Sequence, residues 1–127
     1  MSINTYEENR ILNASPIELV TILYTSASRA VQNARLSLRE GDILTRSREI
    51  GNAQVILIEL ATSVDPSKGK DVAGRLLTLY DYMQGRLAEA NAEQKDAPLA
   101  EVSHLLGTLQ EAWSQCEAVE EPALALR

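Results

Sequence analysis

Apolar side chains recur every three or four residues over most of this chain, the spacing of a helix with one buried face. The first such stretch has apolar residues at Val20, Leu23, Ala27, Ala30, Val31, Ala34 and Leu38. Before it, Ser15 has the side chain of an N-cap, and Pro16 stands at the first helical position. Gly41 provides the left-handed backbone that commonly ends a helix. The pattern therefore predicts a helix over residues 16–40.

Three further helices follow by the same criteria, with short breaks between them. Asp42 and Asp96 are candidate N-caps, and Asp65-Pro66 ends the second helix because proline disfavours helical backbone in the residue before it. The predicted helices cover residues 16–40, 42–63, 71–92 and 98–119, with a segment 1–14 before them and a tail 120–127 after them. Because short connections make sequence neighbours antiparallel, we predict an all-α fold, a single-domain antiparallel four-helix bundle on which the N-terminal segment is able to pack.

The stretch QVILIEL, residues 54–60, departs from the regular spacing. Four consecutive aliphatic side chains reach around about 300° of a helix, more than one buried face requires. A β-strand does not explain them, because the chain has no second apolar run with hairpin punctuation. The helix over 71–92 adds further apolar excess in the stretch LYDYM, residues 79–83. The second helix is therefore either buried on all sides or carries a second apolar face that awaits a partner.

Three arrangements would cover the second apolar face. Large apolar patches on soluble proteins usually mark interaction sites, which favours a groove that binds an amphipathic helix or an extended apolar segment. The chain's own N-terminal segment could cover the face through Ile3, Tyr6, Ile11 and Leu12, until a partner displaces it. A helical homodimer would instead bury the face against its own copy, and the protein would then have a structural or assembly role.

Charge and composition narrow the classes of function. The net charge is −6 and the pI about 4.8, without a cluster of Lys and Arg, which argues against nucleic-acid binding. Apolar runs stay far below the roughly 20 residues of a membrane span, so we predict no stable membrane insertion. The polar start of the chain and its single cysteine, Cys116, predict a cytosolic protein.

The chain offers little catalytic chemistry. His104, the only histidine, forms with Glu101 the Glu-x-x-His pair of some di-iron bundles, but such a centre needs two pairs and two more carboxylates. Cys116 is twelve residues from His104 on the same predicted helix, or about 18 Å, which excludes a Cys–His pair. No phosphate-binding loop or dinucleotide fingerprint is present. We therefore predict no enzyme and no cofactor; metal analysis of purified protein would reveal the alternative, a metal-binding bundle enzyme.

Four stretches of the chain have a recognisable order and spacing. After Tyr6 they are ASPIELVTILY (14–24), ARLSLREGD (34–42), LYDYMQGRLAEAN (79–91) and EVSHLLGTLQEAW (101–113). In these stretches the chain resembles the flagellar secretion chaperones of the FliS family over nearly its whole length. The resemblance implies a four-helix chaperone, not an enzyme, that binds the disordered C-terminal segment of flagellin in the cytoplasm. Binding would prevent premature filament polymerisation and assist type III export.

The resemblance also implies roles for individual residues. It places Tyr6, Ile11 and Leu12 on a displaceable N-terminal cover, and it draws the flagellin groove from Val55, Leu57, Ile58, Leu79, Tyr82 and Met83. Helical phase alone leaves open which of residues 55–58 face the core. Components of the export apparatus are further candidate partners, and the chaperone itself would be a monomer or a weak homodimer.

Overall fold

The structure is a computed structural model that describes residues 13–116, apart from the side chains of Lys70 and Cys116. Its helices are α1 (Pro16–Glu40), α2 (Ile43–Ser63), α3 (Lys70–Glu93) and α4 (Asp96–Cys116). α1 packs against α2 and α4, and α3 packs against the same two helices, so α1 and α3 lie diagonally across the bundle. The predicted all-α four-helix bundle is confirmed. Within the described range, none of these helices is both long and apolar enough to cross a membrane.

The helix ends form as the capping residues predict. The Ser15 hydroxyl accepts a hydrogen bond from the Glu18 N–H at 3.2 Å and so caps α1. Gly41 ends α1 in the left-handed conformation, with φ 73°, which a residue with a side chain rarely adopts. The Asp42 carboxylate then accepts from the Thr45 N–H at 3.1 Å and caps α2. This tight connection makes α1 and α2 antiparallel neighbours.

The start of α4 differs from its prediction. The helix begins at Asp96 and not at residue 98, because Pro98 fits within the first turn, where its missing N–H costs no intrahelical bond. Asp96 is therefore not an N-cap. Its carboxylate accepts two hydrogen bonds from the Arg35 guanidinium, at 2.9 and 3.0 Å, and ties the start of α4 to the end of α1. The predicted end of this helix at residue 119 lies outside the described residues.

The hydrophobic core lies between the four helices, and each helix contributes one apolar stripe to it. Its larger members are Val20, Tyr24 and Val31 of α1, Ile50, Leu57 and Leu60 of α2, Leu76, Tyr80, Met83 and Leu87 of α3, and Leu99, Val102, Leu106 and Trp113 of α4. Small residues complete the α1 stripe at Ala27, Ala30 and Ala34. These alanines let the neighbouring helices approach α1 closely.

Two residues that were predicted to line the groove belong to this core. Leu57 is 1% exposed and Met83 is 0% exposed. Leu57 follows Ile50 by seven residues, and Met83 follows Leu76 by seven, so each lies on the inward stripe of its helix. The prediction is therefore corrected for Met83, which lines none of the grooves described below. Leu57 is a core residue that reaches the groove between α2 and α3 only as part of its floor.

A buried hydrogen-bond network joins three helices through the core. The hydroxyl oxygens of Tyr24 and Tyr80 are 2.5 Å apart, and Trp113 Nε1–H donates to the Tyr24 hydroxyl at 3.0 Å. The three side chains are at most 6% exposed. Burial disfavours the charged phenolate and raises the pKa of both tyrosines above the ordinary value. The network therefore links α1 to its diagonal partner α3 and to α4.

Tyr24→Phe should lower the free energy of unfolding by about 1–3 kcal/mol, because it leaves both Trp113 Nε1–H and the Tyr80 hydroxyl without a partner. Tyr80→Phe removes a single contact and should cost less, since Trp113 keeps its bond to Tyr24. Urea unfolding followed by fluorescence of Trp113, the only tryptophan, measures both variants. A larger loss for Tyr80→Phe would contradict this description of the network.

Alkaline pH should weaken the fold through the same tyrosines. Their folded-state pKa values lie above the unfolded value of about 10, so their contribution is complete below that pH and is lost as pH rises through the folded-state values. The free energy of unfolding should fall between about pH 10 and 12, more steeply in the unmodified protein than in the double variant Tyr24→Phe/Tyr80→Phe. Urea unfolding at several pH values tests this, and equal slopes for the two proteins would rule the explanation out.

Candidate partner-binding surface on α2 and α3

Apolar side chains remain on the outside of α2 and α3 after the core is filled. Val55, Ile58 and Tyr82 are 59%, 58% and 47% exposed. Val55 and Ile58 are three residues apart on one helix and are therefore neighbours; we call this pair the α2 ridge. Leu79 is half-buried at the edge of the core and lies three residues before Tyr82; we call this pair the α3 patch. Together they provide the surface apolar residues that the prediction placed in the groove.

The stretch QVILIEL is explained by the position of α2 in the bundle. Leu57 points into the core, Ile56 packs half-buried against the core edge, and Val55 and Ile58 point to solvent. The helix is therefore not buried on all sides. Its second apolar face is real and is open over the described portion of the chain.

Two shallow grooves flank the α2 ridge. The groove between α1 and α2 has a volume of about 360 Å³, and the groove between α2 and α3 has about 390 Å³. The first is lined by Ser26, Arg29, Ala30, Asn33, Glu49, Asn52, Val55 and Ile56. The second is lined by Leu57, Ile58, Ala61, Thr62, Leu77, Tyr80, Asp81 and Gln84. Apolar side chains stand beside amides and hydroxyls in both grooves, so each can bury a side chain and also bind a peptide backbone.

A third, larger groove of about 770 Å³ runs along α3, and we call it the α3 groove. It is lined by Asp71, Gly74, Arg75, Thr78, Leu79 and Tyr82. The Tyr82 hydroxyl is fixed because it donates to Glu101 Oε1 at 2.6 Å, and Arg86 Nε donates to the same oxygen at 2.7 Å. These bonds from Tyr82 and Arg86 lower the pKa of Glu101, while the carboxylate raises the pKa of Tyr82. The α3 patch thus has a rigid polar rim on α4.

The two residues of the Glu-x-x-His pair have different surroundings in the structure. The Glu101 carboxylate is engaged by Tyr82 and Arg86, and His104 is exposed on α4. Between residues 13 and 116, no group of three or more His, Cys, Asp and Glu side chains is arranged to hold a metal ion.

The predicted site residues separate into three sets. Val55, Ile58, Leu79 and Tyr82 are at the surface, Leu57 and Met83 are in the core, and Tyr6, Ile11 and Leu12 lie outside the described residues. The surface residues do not line one common groove. Val55 borders the α1–α2 groove, Ile58 borders the α2–α3 groove, and the α3 patch lines the α3 groove. The candidate surface therefore extends around α2 and α3.

Sequence reasoning did not assign several residues that the structure places on this surface. Ala61 and Leu77 line the α2–α3 groove, and each directly follows a core residue in the sequence. A residue one position past a core residue lies about 100° around the helix, at the edge of the buried stripe. Such a position next to a core residue was the only signal in the sequence for Ala61 and Leu77. It can be used only once it is known which residues of each helix face the core.

A family model for the flagellar protein FliS matches residues 1–120 of this chain. The chain belongs to the FliS family. It is 36% identical over 109 residues to the flagellar secretion chaperone FliS of Salmonella typhimurium, covering 85% of this chain and 81% of the relative. It is 32% identical to FliSB of Pseudomonas aeruginosa, with 84% of both chains covered, and 31% identical to FliS of Campylobacter jejuni, with 91% and 90% covered. These FliS relatives are named as chaperones and not as enzymes.

Proposed function

We propose that this FliS family member is a cytoplasmic export chaperone that binds the disordered C-terminal segment of flagellin against the apolar surface of α2 and α3. Binding would prevent premature polymerisation and assist type III flagellar secretion. The observation that carries the proposal is the exposed α2 ridge between two grooves, on a bundle whose core is complete without it. The names of the relatives, flagellar secretion chaperones, support the chaperone role.

The physical character of the surface suits a client that must be held and then released. Burial of apolar area contributes about 25 cal/mol per Å² without strict directional requirements, so the surface accepts a segment with no fixed structure of its own. Ordering such a segment consumes about 2–5 kcal/mol or more of the gross interaction energy. We therefore expect binding that is strong enough to prevent self-association of the client and is still reversible.

The N-terminal cover belongs to the same proposal. Tyr6, Ile11 and Leu12 would pack on the apolar surface of the free chaperone and leave when flagellin binds. Leu57 and Met83 would then support the surface from below, since both lie in the core next to the surface residues of α2 and α3. Alanine substitution separates the two roles. A supporting residue should lower the free energy of unfolding when it is replaced, and a residue that binds the client should not.

Calorimetric titration with a peptide from the C-terminal end of the cognate flagellin tests the proposal. We expect saturable binding with a negative heat-capacity change, the sign that apolar surface is buried. The control is the same peptide with its apolar residues replaced by serine, which should not bind. Light scattering at micromolar concentration must accompany the titration. A tight homodimer that does not bind the peptide would contradict the proposal and favour an assembly protein.

A further inference from the structure

The α3 groove has features that point to an occupant from this chain. A Cβ atom built on Gly74 would meet nothing within 4 Å, so the space above the helix is open there. Arg75 lines the groove and forms no ion pair with any carboxylate of residues 13–116. Leu79 and Tyr82 supply apolar surface at the far end. The groove therefore has a charged end near the start of α3, where Asp71 and Arg75 lie, and an apolar end further along the helix.

The described part of α4 ends close to the first residue of this groove. α3 and α4 are antiparallel, and Tyr82 contacts Glu101 across their interface. Cys116 lies fifteen residues beyond Glu101, so it is level with about residue 67, just before α3 begins at Lys70. The first residue of the groove, Asp71, belongs to the first turn of α3. Residues 1–12 instead precede α1, which lies diagonally opposite α3.

The sequence of residues 117–127, EAVEEPALALR, is long enough to span the groove and matches the order of its chemistry. From Asp71 to Tyr82 the groove runs about 16 Å, which is well within the roughly 36 Å that residues 117–127 can reach when extended. Pro122 disfavours helical backbone in Glu121 and so favours a break between α4 and residues 123–127. We take those five residues as an extended run. In such a run Leu124 and Leu126 point to the same side.

The charges agree with this direction along the groove. Three glutamates come first after α4, where Arg75 and the positive end of the α3 dipole lie. The two leucines come later, where the α3 patch is apolar. We propose that the α3 groove is a docking site for residues 117–127 of the same chain, with Leu124 and Leu126 against the α3 patch. This contact goes beyond the proposed function, because it does not require flagellin.

Disulfide trapping tests the docking without any client. In a Cys116→Ser background, the pair Thr78→Cys/Leu124→Cys should close within one chain at least ten times faster than the matched pair Thr62→Cys/Leu124→Cys. Both threonines are exposed; Thr78 lines the α3 groove, and Thr62 lies on α2 at a similar height in the bundle. Non-reducing gels separate intrachain products from cross-linked dimers, and circular dichroism confirms that each variant is folded.

A second variant tests the charge complementarity. Adding Arg75→Glu should slow the Thr78–Leu124 closure several-fold, and added salt should slow it in the parent pair but not in this variant. Equal closure rates for the two pairs would overturn the proposal, as would dimers as the main product, which would assign the groove to a second copy. Faster closure of Thr78→Cys with Ile11→Cys than with Leu124→Cys would assign it to the N-terminal segment. Each result is independent of the flagellin titration, so failure here leaves the proposed function standing.

Discussion

Leu57→Ala should lower the free energy of unfolding by about 2–5 kcal/mol, whereas Ile58→Ala should lower it by less than about 0.5 kcal/mol. The two residues are sequence neighbours of similar size, but Leu57 is 1% exposed and Ile58 is 58% exposed. Truncation at position 57 leaves a cavity in a core that cannot fully collapse, while truncation at 58 removes a side chain that already contacts water. Urea unfolding monitored by circular dichroism measures both losses.

Binding should rank the two variants in the opposite order. Corrected for the folded fraction, Leu57→Ala should retain most of its affinity for the flagellin segment, and Ile58→Ala should lose several-fold. Val55→Ala provides a second surface variant with the same expectation, since its side chain is 59% exposed. A core-like stability loss at position 58 with unchanged binding would show that the α2 ridge is structural.

The double variant Val55→Asp/Ile58→Asp should weaken binding of the flagellin segment by at least tenfold, or about 1.4 kcal/mol. It removes apolar area from the centre of the proposed surface and would force two carboxylates to lose water without a partner when the client covers them. Stability should change little, because both positions are exposed on the bundle formed by residues 13–116. The measurement is the same calorimetric titration.

Leu36→Asp is the matched control for the double variant. Leu36 is 48% exposed on α1 and lines none of the three grooves, so Leu36→Asp introduces one of the two charges at a comparably exposed site away from α2 and α3. It should leave affinity within about twofold. If Leu36→Asp weakened binding as much as the double variant, the loss would be explained by a general effect of negative charge and not by a specific binding surface.

The fold could be predicted because nearby capping residues determine where the helices begin and end. Ser15, Gly41 and Asp42 each act through backbone groups only a few residues away, and the structure confirms all three. Asp96 was predicted as an N-cap, but the interaction of its side chain is not local. Its partner, Arg35, is distant in sequence and is brought close only by the packing of α1 against α4.

The site could be predicted only to the level of the helix. Apolar excess in residues 55–58 and 79–83 correctly indicated an exposed face on α2 and α3, but the rotation of each helix depends on how all four pack. Met83 was therefore assigned to the wrong side of its helix, and Leu57, although it reaches the floor of a groove, is a core residue. Val55, Ile58 and Tyr82 are on the exposed side. A rotation of one residue, about 100°, separates the two assignments.

Arg46 shows a further limit of sequence reasoning. It falls in the phase of the α2 core stripe and is only 5% exposed, yet no carboxylate of the described residues pairs with it. Its guanidinium instead donates to the Asn91 carbonyl at 3.4 Å and to the Gln94 side chain at 3.5 Å, both at the end of α3. The negative end of the α3 dipole stabilises the cation there. The position of Arg46 on an apolar stripe of the sequence does not reveal these contacts, because they depend on how the end of α3 packs against α2.

Methyl NMR of the chaperone during addition of the flagellin C-terminal segment tests the central claim most directly, because it reports each apolar residue in the folded protein. The claim is that the exposed apolar face of α2 and α3, on a bundle whose core is already complete, binds the client. We predict the largest shifts at Val55, Ile58 and Leu79. Shifts should be smaller at Leu36 on α1 and at Leu44, which is exposed at the opposite end of α2 from the ridge. Saturable binding that leaves the α2 ridge unshifted while Leu36 or Leu44 responds would contradict it.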